Sequence, residues 1–320
     1  MIRFALTALA LLALLPAVAS AQTYPSRPVK IISPFPPGGG TDLVARTVGQ
    51  SLADRNKWQV VIENKAGAGG AIGLGEAKKA EPNGYELVVG QMDNLILAPW
   101  LSRVSFDSVK DFTPIALIGK SPIVLVTGKA SRFATFGDAV AAVKGEPASV
   151  TLGSAGNGTL AHLLIELMRT RTDTRFRHVP YRGSTPAMTD LLGGHLDIGG
   201  VSIASALPLI RSGEVRALAV SSRGRNPSLP DVPSLVELGL KDVEVSTWYG
   251  LLGPAGLPAD LTQLLNREVN AIVQAPGVAA TLAEQGLESG PNSPEQFGGL
   301  IRDEYAAWQT IIADLGFKRE

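Results

Sequence analysis

Two glycine-rich turns carry the residue types best suited to holding a small anion. The first runs Ser33-Pro34-Phe35-Pro36-Pro37-Gly38-Gly39-Gly40-Thr41-Asp42, the second Gly153-Ser154-Ala155-Gly156-Asn157-Gly158-Thr159. Each lies between a short apolar run and a stretch of helical periodicity. There the unpaired N–H groups of the first helical turn, and the positive end of the helix dipole, point at the turn and favour negative charge. Glycine lets backbone approach a ligand without a Cβ in the way. Thr41 or Asp42 can cap the helix by accepting from its first free amides. An ordinary strand-to-helix turn that binds nothing has the same pattern. Tyr181-Arg182-Gly183 adds a cation at a strand end, placed either to pair an anionic ligand or to sit on the surface.

No catalytic arrangement accompanies these turns. His162, His178 and His195 have no metal-ligand spacing, so neither a metal nor a cofactor is expected. His162 falls in the first turn of its helix, opposite the apolar stripe, where it either touches a ligand or is solvated. His178 reads as a structural strand residue and His195 as a turn residue. Gly153-Ser154-Ala155-Gly156 is not the G-x-S-x-G nucleophile elbow, and no Gly-Lys-Ser/Thr follows the first glycine run. An exported hydrolase using Ser154 with His162 is the alternative to a binding protein. A subunit that presents ligand to a membrane sensor is a third reading, with the same fold.

These turns need strands and helices to position them. Val29-Lys30-Ile31-Ile32 reads as a strand, and Val44, Val48 and Leu52 give a helix after the first turn. Strands are expected at 58–64 and 85–90, with a small-residue helix at 71–77 between them. A turn at Gln91-Met92-Asp93-Asn94 ends the third strand. Separate strands at 115–118 and 123–126 follow, then a helix at 136–143. The theme recurs about 120 residues on, where a strand at 150–152 leads through the second turn. Leu160, Leu163, Leu164, Leu167 and Met168 there form a full apolar helical stripe. Strands at 177–180, 196–200 and 215–220 alternate with helices, and 243–252 is extended and carries Trp248 and Tyr249, aromatics for the cleft or the hinge core, of which core is preferred. Helices at 258–273, 277–284 and 294–315 close the chain. Such alternation predicts parallel sheets with ligands outside the carboxyl ends of strands. Crossings near 121–127 and 243–250 would form a hinge pair.

Composition narrows the function. Arg3, the apolar run 4–15, Pro16 and Ala19-Ser20-Ala21 form an export signal, so residues 1–21 are expected to be removed and the protein to be periplasmic. Without Arg3 the mature chain carries 28 basic residues against 29 acidic ones, which argues against nucleic acid as a partner. There is no cysteine, so a sizeable core and not disulfides must hold the fold. An exported two-lobe α/β protein with two anion-friendly helix N-termini and no reactive constellation describes a periplasmic binding protein for a small carboxylate.

Chain-wide motifs then resemble a known family. Tyr24-Pro25-x-Arg27-Pro28, the Pro34 to Asp42 turn, Glu63-Asn64-Lys65-x-Gly67-Ala68-Gly69-Gly70 and Asp107-x-Val109-Lys110-Asp111-Phe112 are similar to the Bug receptors. So are the Gly153 to Gly158 turn, His178-Val179-Pro180-Tyr181-x-Gly183, Leu191-Leu192-Gly193-Gly194, Arg216-Ala217-Leu218-Ala219-Val220 and Leu229-Pro230-Asp231-Val232-Pro233. These are the TctC-type substrate-binding proteins of tripartite tricarboxylate transporters. The resemblance implies an α/β periplasmic-binding-protein (Venus flytrap) fold of two Rossmann-like lobes with hinge crossings. Residues 22–123 with 247–320 would form one lobe, and 124–246 the other. It also implies a monomer that hands its carboxylate to membrane permease subunits. The ligand would meet Phe35, Pro37, Gly38, Gly39, Gly40, Thr41 and Asp42, with Met92, Asp93 and Asn94, from the first lobe. Ser154, Ala155, Gly156, Asn157, Thr159, Tyr181, Arg182, Gly183, Val201 and Ser202 would face it from the second.

The sequence leaves the family pattern twice. Met92-Asp93-Asn94 stands where small hydroxyl residues are usual, and Gly200-Val201 where a Phe-Asp pair is common. An ionised Asp93 in the cleft would repel a second carboxylate and accept from an amine, amide or hydroxyl. Gly200-Val201 would make that side roomier and less polar. The expected ligand is therefore not plain citrate but one carboxylate with a less anionic or partly aromatic remainder. Asp42 is expected to turn toward its own helix amides or to reach ligand through water.

Overall fold

The computed structural model describes residues 24–240 and 243–317; the export-signal reading of residues 1–21 lies outside them. Buried β-branched residues form β1 (Val29–Ser33), and helix α1 (Gly40–Asn56) follows directly on the first glycine turn. Next come β2 (Val60–Asn64), α2 (Ala71–Ala77) and β3 (Glu86–Gln91). The long β4 (Phe112–Gly128) leads into α3 (Phe136–Gly145) and β5 (Thr151–Ser154). Helix α4 (Leu160–Thr172), β6 (Arg177–Pro180), α5 (Ser184–Leu192), β7 (Ile198–Ser202), α6 (Ile203–Arg211) and β8 (Val215–Val220) complete the second half. The chain returns through β9 (Ser246–Pro254) to α7 (Ala259–Val273), α8 (Pro276–Glu284) and α9 (Pro294–Asp314).

Two lobes of one plan result. In the first, β1 pairs in parallel with β2 and β3, while β9 lies antiparallel between β3 and β4. In the second, β5 pairs in parallel with β6 and β7, while β4 lies antiparallel between β7 and β8. The antiparallel fourth strand of each lobe is the one that has just crossed from the other. The loops at the carboxyl ends of β1, β3, β5 and β7 therefore meet across one cleft.

Two expectations are corrected. Residues 115–118 and 123–126 belong to the single strand β4. The four residues between them, Gly119, Lys120, Ser121 and Pro122, pair with Tyr249 to Ser246 of β9 as the strand passes between lobes. Residues 91–94 are not a turn. Gln91 ends β3, and the chain runs straight into Asp93–Leu97, wound as a π-helix, and Ala98–Leu101. Leu95, Ile96 and Leu97 bury completely there, which ties this segment to the core beneath the cleft.

Both crossings are stapled by Ser221, which is fully buried. Its hydroxyl accepts from the Ile123 N–H at 2.8 Å and donates to the Val245 carbonyl at 2.7 Å. Helix α9 lies across the lobes: Trp100 donates to the Tyr305 carbonyl at 3.0 Å, and Phe317 sets its ring edge-on against His162, centroids 5.2 Å apart. One apolar cluster consequently runs from Ile96 and Leu101 through Trp308 and Ile312 to Leu163 and Leu167.

Candidate functional site

Four helix N-termini converge on the cleft. Its walls are Gly39, Gly40 and Thr41 at the start of α1, Thr159 and Ala161 at α4, Gly183, Ser184 and Thr185 at α5, and Ser202 at α6. None of these four helices has a side-chain cap, whereas α3 and α9, away from the cleft, have complete capping boxes on Thr135 and Ser293. A helix without a cap leaves its first N–H groups for another acceptor. Thr41 and Asp42 thus do not cap α1, which begins behind Gly39. The backbone needs glycine at Gly40, because a Cβ there would stand 2.6 Å from the Tyr249 hydroxyl and 2.7 Å from Ser202 Oγ. Gly183, at φ 118°, opens α5 in a conformation that side chains avoid.

Hydroxyls and one carboxylate supply the rest of the lining. Thr41 donates to Gln91 Oε1, and Gln91 Nε2 donates to Asp93 Oδ2 at 2.9 Å. Asp93 Oδ1 accepts the Leu160 N–H at 2.8 Å. This chain runs from α1 of one lobe to α4 of the other, so the lobes are closed on each other. Burial pushes the Asp93 carboxyl up to about 6, against the pull of the Leu160 and Gln91 N–H groups. Tyr249 lines the cleft as well as the core, and burial holds its hydroxyl un-ionised. Thr247 is buried in the same wall and its hydroxyl has no partner.

The closed cleft retains about 40 Å³ of free space, room for about three water-sized groups at roughly 10–15 Å³ each. It opens past Phe35, Pro36, Asp93, Ala155, Thr159 and Gly183 into a vestibule of about 720 Å³. Gly67 to Ala71, Leu101, Val104, Gly156, Asn157, Tyr181 and the exposed Arg103 and Arg182 line that outer space.

The expected site residues divide accordingly. Phe35, Gly39, Gly40, Thr41, Asp93, Ala155, Thr159, Gly183, Val201 and Ser202 line the inner cleft. Gly156, Asn157, Tyr181 and Arg182 line only the vestibule. Six residues line neither space. Pro37 and Gly38 are exposed in the turn. Asp42 turns back to the Gly38 N–H, Arg46 and Asn64; burial works against its ionisation, but these partners hold its carboxyl below the usual range. Met92 is core, and Asn94 is buried with its oxygen on the Gln91 N–H. Ser154 is buried behind the turn, on His178 Nε2 at 2.7 Å. Gly200 creates no extra room, because Leu152, the Gly153 carbonyl and Ala161 fill the place of its Cβ. Val201 packs into the second-lobe core.

Sequence reasoning missed Ser184, Thr185 and Thr247, and preferred the core for Tyr249, which also faces the cleft. Gly183-Ser184-Thr185 did carry a signal, glycine before hydroxyl residues at a helix start. The Ser154 and His162 pairing of the alternative reading does not form. His162 accepts the Gly158 N–H through Nδ1 and stacks on His178 with centroids 4.1 Å apart. Burial, then the neighbouring His162, pushes His178 down to about 4.

Comparisons with known proteins agree with this geometry. The model of the tripartite tricarboxylate transporter family receptor, TctC, matches residues 44–317. Protein BugT of Bordetella pertussis is 36% identical over 302 residues, 93% of this chain and 92% of that protein. Among solved structures, Rpa4515 of R. palustris with adipate superposes with a TM-score of 0.89 at 28% identity, covering 93% of this chain and 100% of that one. MatC (Rpa3494) from Rhodopseudomonas palustris with bound malate gives 0.83 at 28% identity, covering 90% and 100%. Members of the family are solute receptors and not enzymes, which sets aside the hydrolase reading. With the family model spanning most of its length and a two-lobe cleft in place, this chain belongs to the TctC receptor family of tripartite tricarboxylate transporters.

Proposed function

We propose that this receptor takes up a small carboxylate in the periplasm, closes its lobes on it and delivers it to the membrane permease subunits of a tripartite tricarboxylate transporter. The observation that carries the reading is the convergence of helix N-termini on a cleft lined by no lysine or arginine: those of α1, α5 and α6 have no side-chain cap, and that of α4 already holds the Asp93 carboxylate. Such a site neutralises a carboxylate with backbone dipoles and N–H groups. The adipate and malate of the two solved relatives are ligands of the same chemistry. Residues 22–123 with 247–320 are taken as one moving body and 124–246 as the other, meeting at the strands stapled by Ser221. Ligand shifts an existing open–closed equilibrium by its differential affinity for the closed form.

The ligand reading is one carboxylate with a remainder less anionic than that of citrate, because Asp93 already places a negative charge in the cleft. A thermal-shift panel tests it: monocarboxylates should stabilise the protein, and strong stabilisation by citrate alone would refute it. Delivery is tested by uptake of the stabilising ligand in cells lacking the permease pair, where undiminished uptake counts against it.

A further inference from the structure

Asp93 lines both the inner cleft and the vestibule and is the one acidic residue in either wall. Both of its hydrogen bonds come from neutral N–H groups, Leu160 at 2.8 Å and Gln91 at 2.9 Å. Among the described residues no lysine, arginine or histidine forms an ion pair with it. The start of α4 offsets part of the cost of burying this carboxylate, burial still outweighs it, and no side-chain cation completes the balance. Each of its oxygens retains a further lone pair, and the open space at the junction is where ligand passes. The other walls are built for the opposite charge, with helix N-termini at Gly40, Ser184 and Ser202 and the unpartnered Thr247 hydroxyl.

From this juxtaposition we infer that Asp93 is a specificity-determining residue that selects zwitterions, ligands whose carboxylate lies at the helix N-termini and whose ammonium group pairs with Asp93. The vestibule beyond Phe35 and Leu101, apolar along Ala68, Ala71, Leu101 and Val104 with Arg103 and Arg182 exposed in its walls, takes the side chain of such an amino acid. A dicarboxylate of the same size is disfavoured, since its second carboxylate faces Asp93 at close range. This rests on the cleft being a carboxylate site.

Matched ligand pairs test it. Calorimetric titration of the mature chain sets alanine against propanoate, leucine against 4-methylpentanoate, phenylalanine against 3-phenylpropanoate and 4-aminobutanoate against butanoate, with lactate as a neutral donor. At least one amino member should bind tenfold or more tighter than its partner and than lactate. In Asp93→Asn and Asp93→Ser, amino acids should weaken at least tenfold and the simple carboxylates tighten several-fold, with unfolding midpoints confirming that both variants fold. Equal affinity within every pair, lactate equal to alanine, or a preference that survives both variants overturns the Asp93 inference alone. If no member of either series binds, nor citrate nor malate, the carboxylate reading of the cleft falls and takes the inference with it.

Discussion

Asp93 and His178 give this protein two opposed responses to acid in one pH window. A carboxyl held at about 6 in the fold and at 3.8 when unfolded costs stability above pH 6. That cost disappears as pH falls through 6 toward 3.8, so acid favours the fold through Asp93. At roughly 1.4 kcal/mol per tenfold change in proton affinity, the term is about 3 kcal/mol. His178 runs the other way. Its imidazole is neutral in the fold down to about 4 but takes a proton near 6.5 when unfolded. Its contribution is complete above 6.5 and is lost as pH falls toward 4, again by about 3 kcal/mol before a discount for partial exposure. The two nearly cancel in the natural chain. Asp93→Asn and His178→Gln should separate them. Urea unfolding followed by tryptophan fluorescence at half-unit steps from pH 4 to 8 gives each variant's stability relative to the natural chain, which removes the background of other carboxylates. The Asp93→Asn difference should become more stabilising as pH rises from 4 to 6, then level at about 1–3 kcal/mol, because Asn retains only one acceptor for Leu160 and Gln91. The His178→Gln difference should become less stabilising over the same rise, crossing to destabilising once the Ser154 bond is the only term left. Differences flat to within about 0.5 kcal/mol, or slopes of the same sign, would refute the burial argument for both groups.

Other consequences are simpler. Ser221→Ala leaves the Ile123 N–H and the Val245 carbonyl unpaired in a buried crossing, at about 1–3 kcal/mol in urea unfolding. In Gly250→Ala the new Cβ runs into the buried Phe297 ring, in a packed strand; a loss of about 1–3 kcal/mol is expected in the same assay. Gly40→Ala places a methyl among Tyr249 and Ser202, and calorimetry should show at least about tenfold weaker binding of any stabilising carboxylate, the cost of one lost contact set. Thr247→Val removes a hydroxyl that has no internal partner, so stability should stay within about 0.5 kcal/mol while ligand affinity falls.

The sequence was most readable where its periodicity was strong. The stripe Leu160, Leu163, Leu164, Leu167 and Met168 is buried as a helix face, and the run from Val29 is the buried first strand. It was least readable where tertiary pairing overrode local cues. Gly119 to Pro122 look like a turn in isolation, yet β9 supplies a partner for each. Gln91 to Asn94 look like a loop because three of them are polar, yet Leu95 to Leu97 below them draw the segment into a helix. Within the site, spacing located the turns but not the direction of side chains. Asp42, Met92, Asn94 and Ser154 sit at strand ends and first helical turns beside the cleft and point behind it, as alternate residues of such elements must. Thr247 and Tyr249 reach the cleft only through strand crossing, which no local pattern announces.

The placement of charge explains why one residue can decide the ligand. Helix N-termini hold a carboxylate through backbone groups, and backbone is the same whatever the side chains, so those of α1, α5 and α6 set a sign but little shape. Gly39, Gly40, Ala155, Gly183 and Gly200 add almost no side-chain surface. Beside the neutral hydroxyls of Ser184, Thr185, Ser202, Thr247 and Tyr249, the charge that discriminates one carboxylate from another sits in the short bonded chain Thr41, Gln91 and Asp93 that joins α1 to Leu160. It is also the chain that bridges the lobes. A ligand that bonds Asp93 strengthens the bridge it finds, whereas one that competes for the Leu160 N–H must break it. Selection and closure are therefore read by the same carboxylate, and an exchange at Asp93 should alter ligand preference and the open–closed balance together.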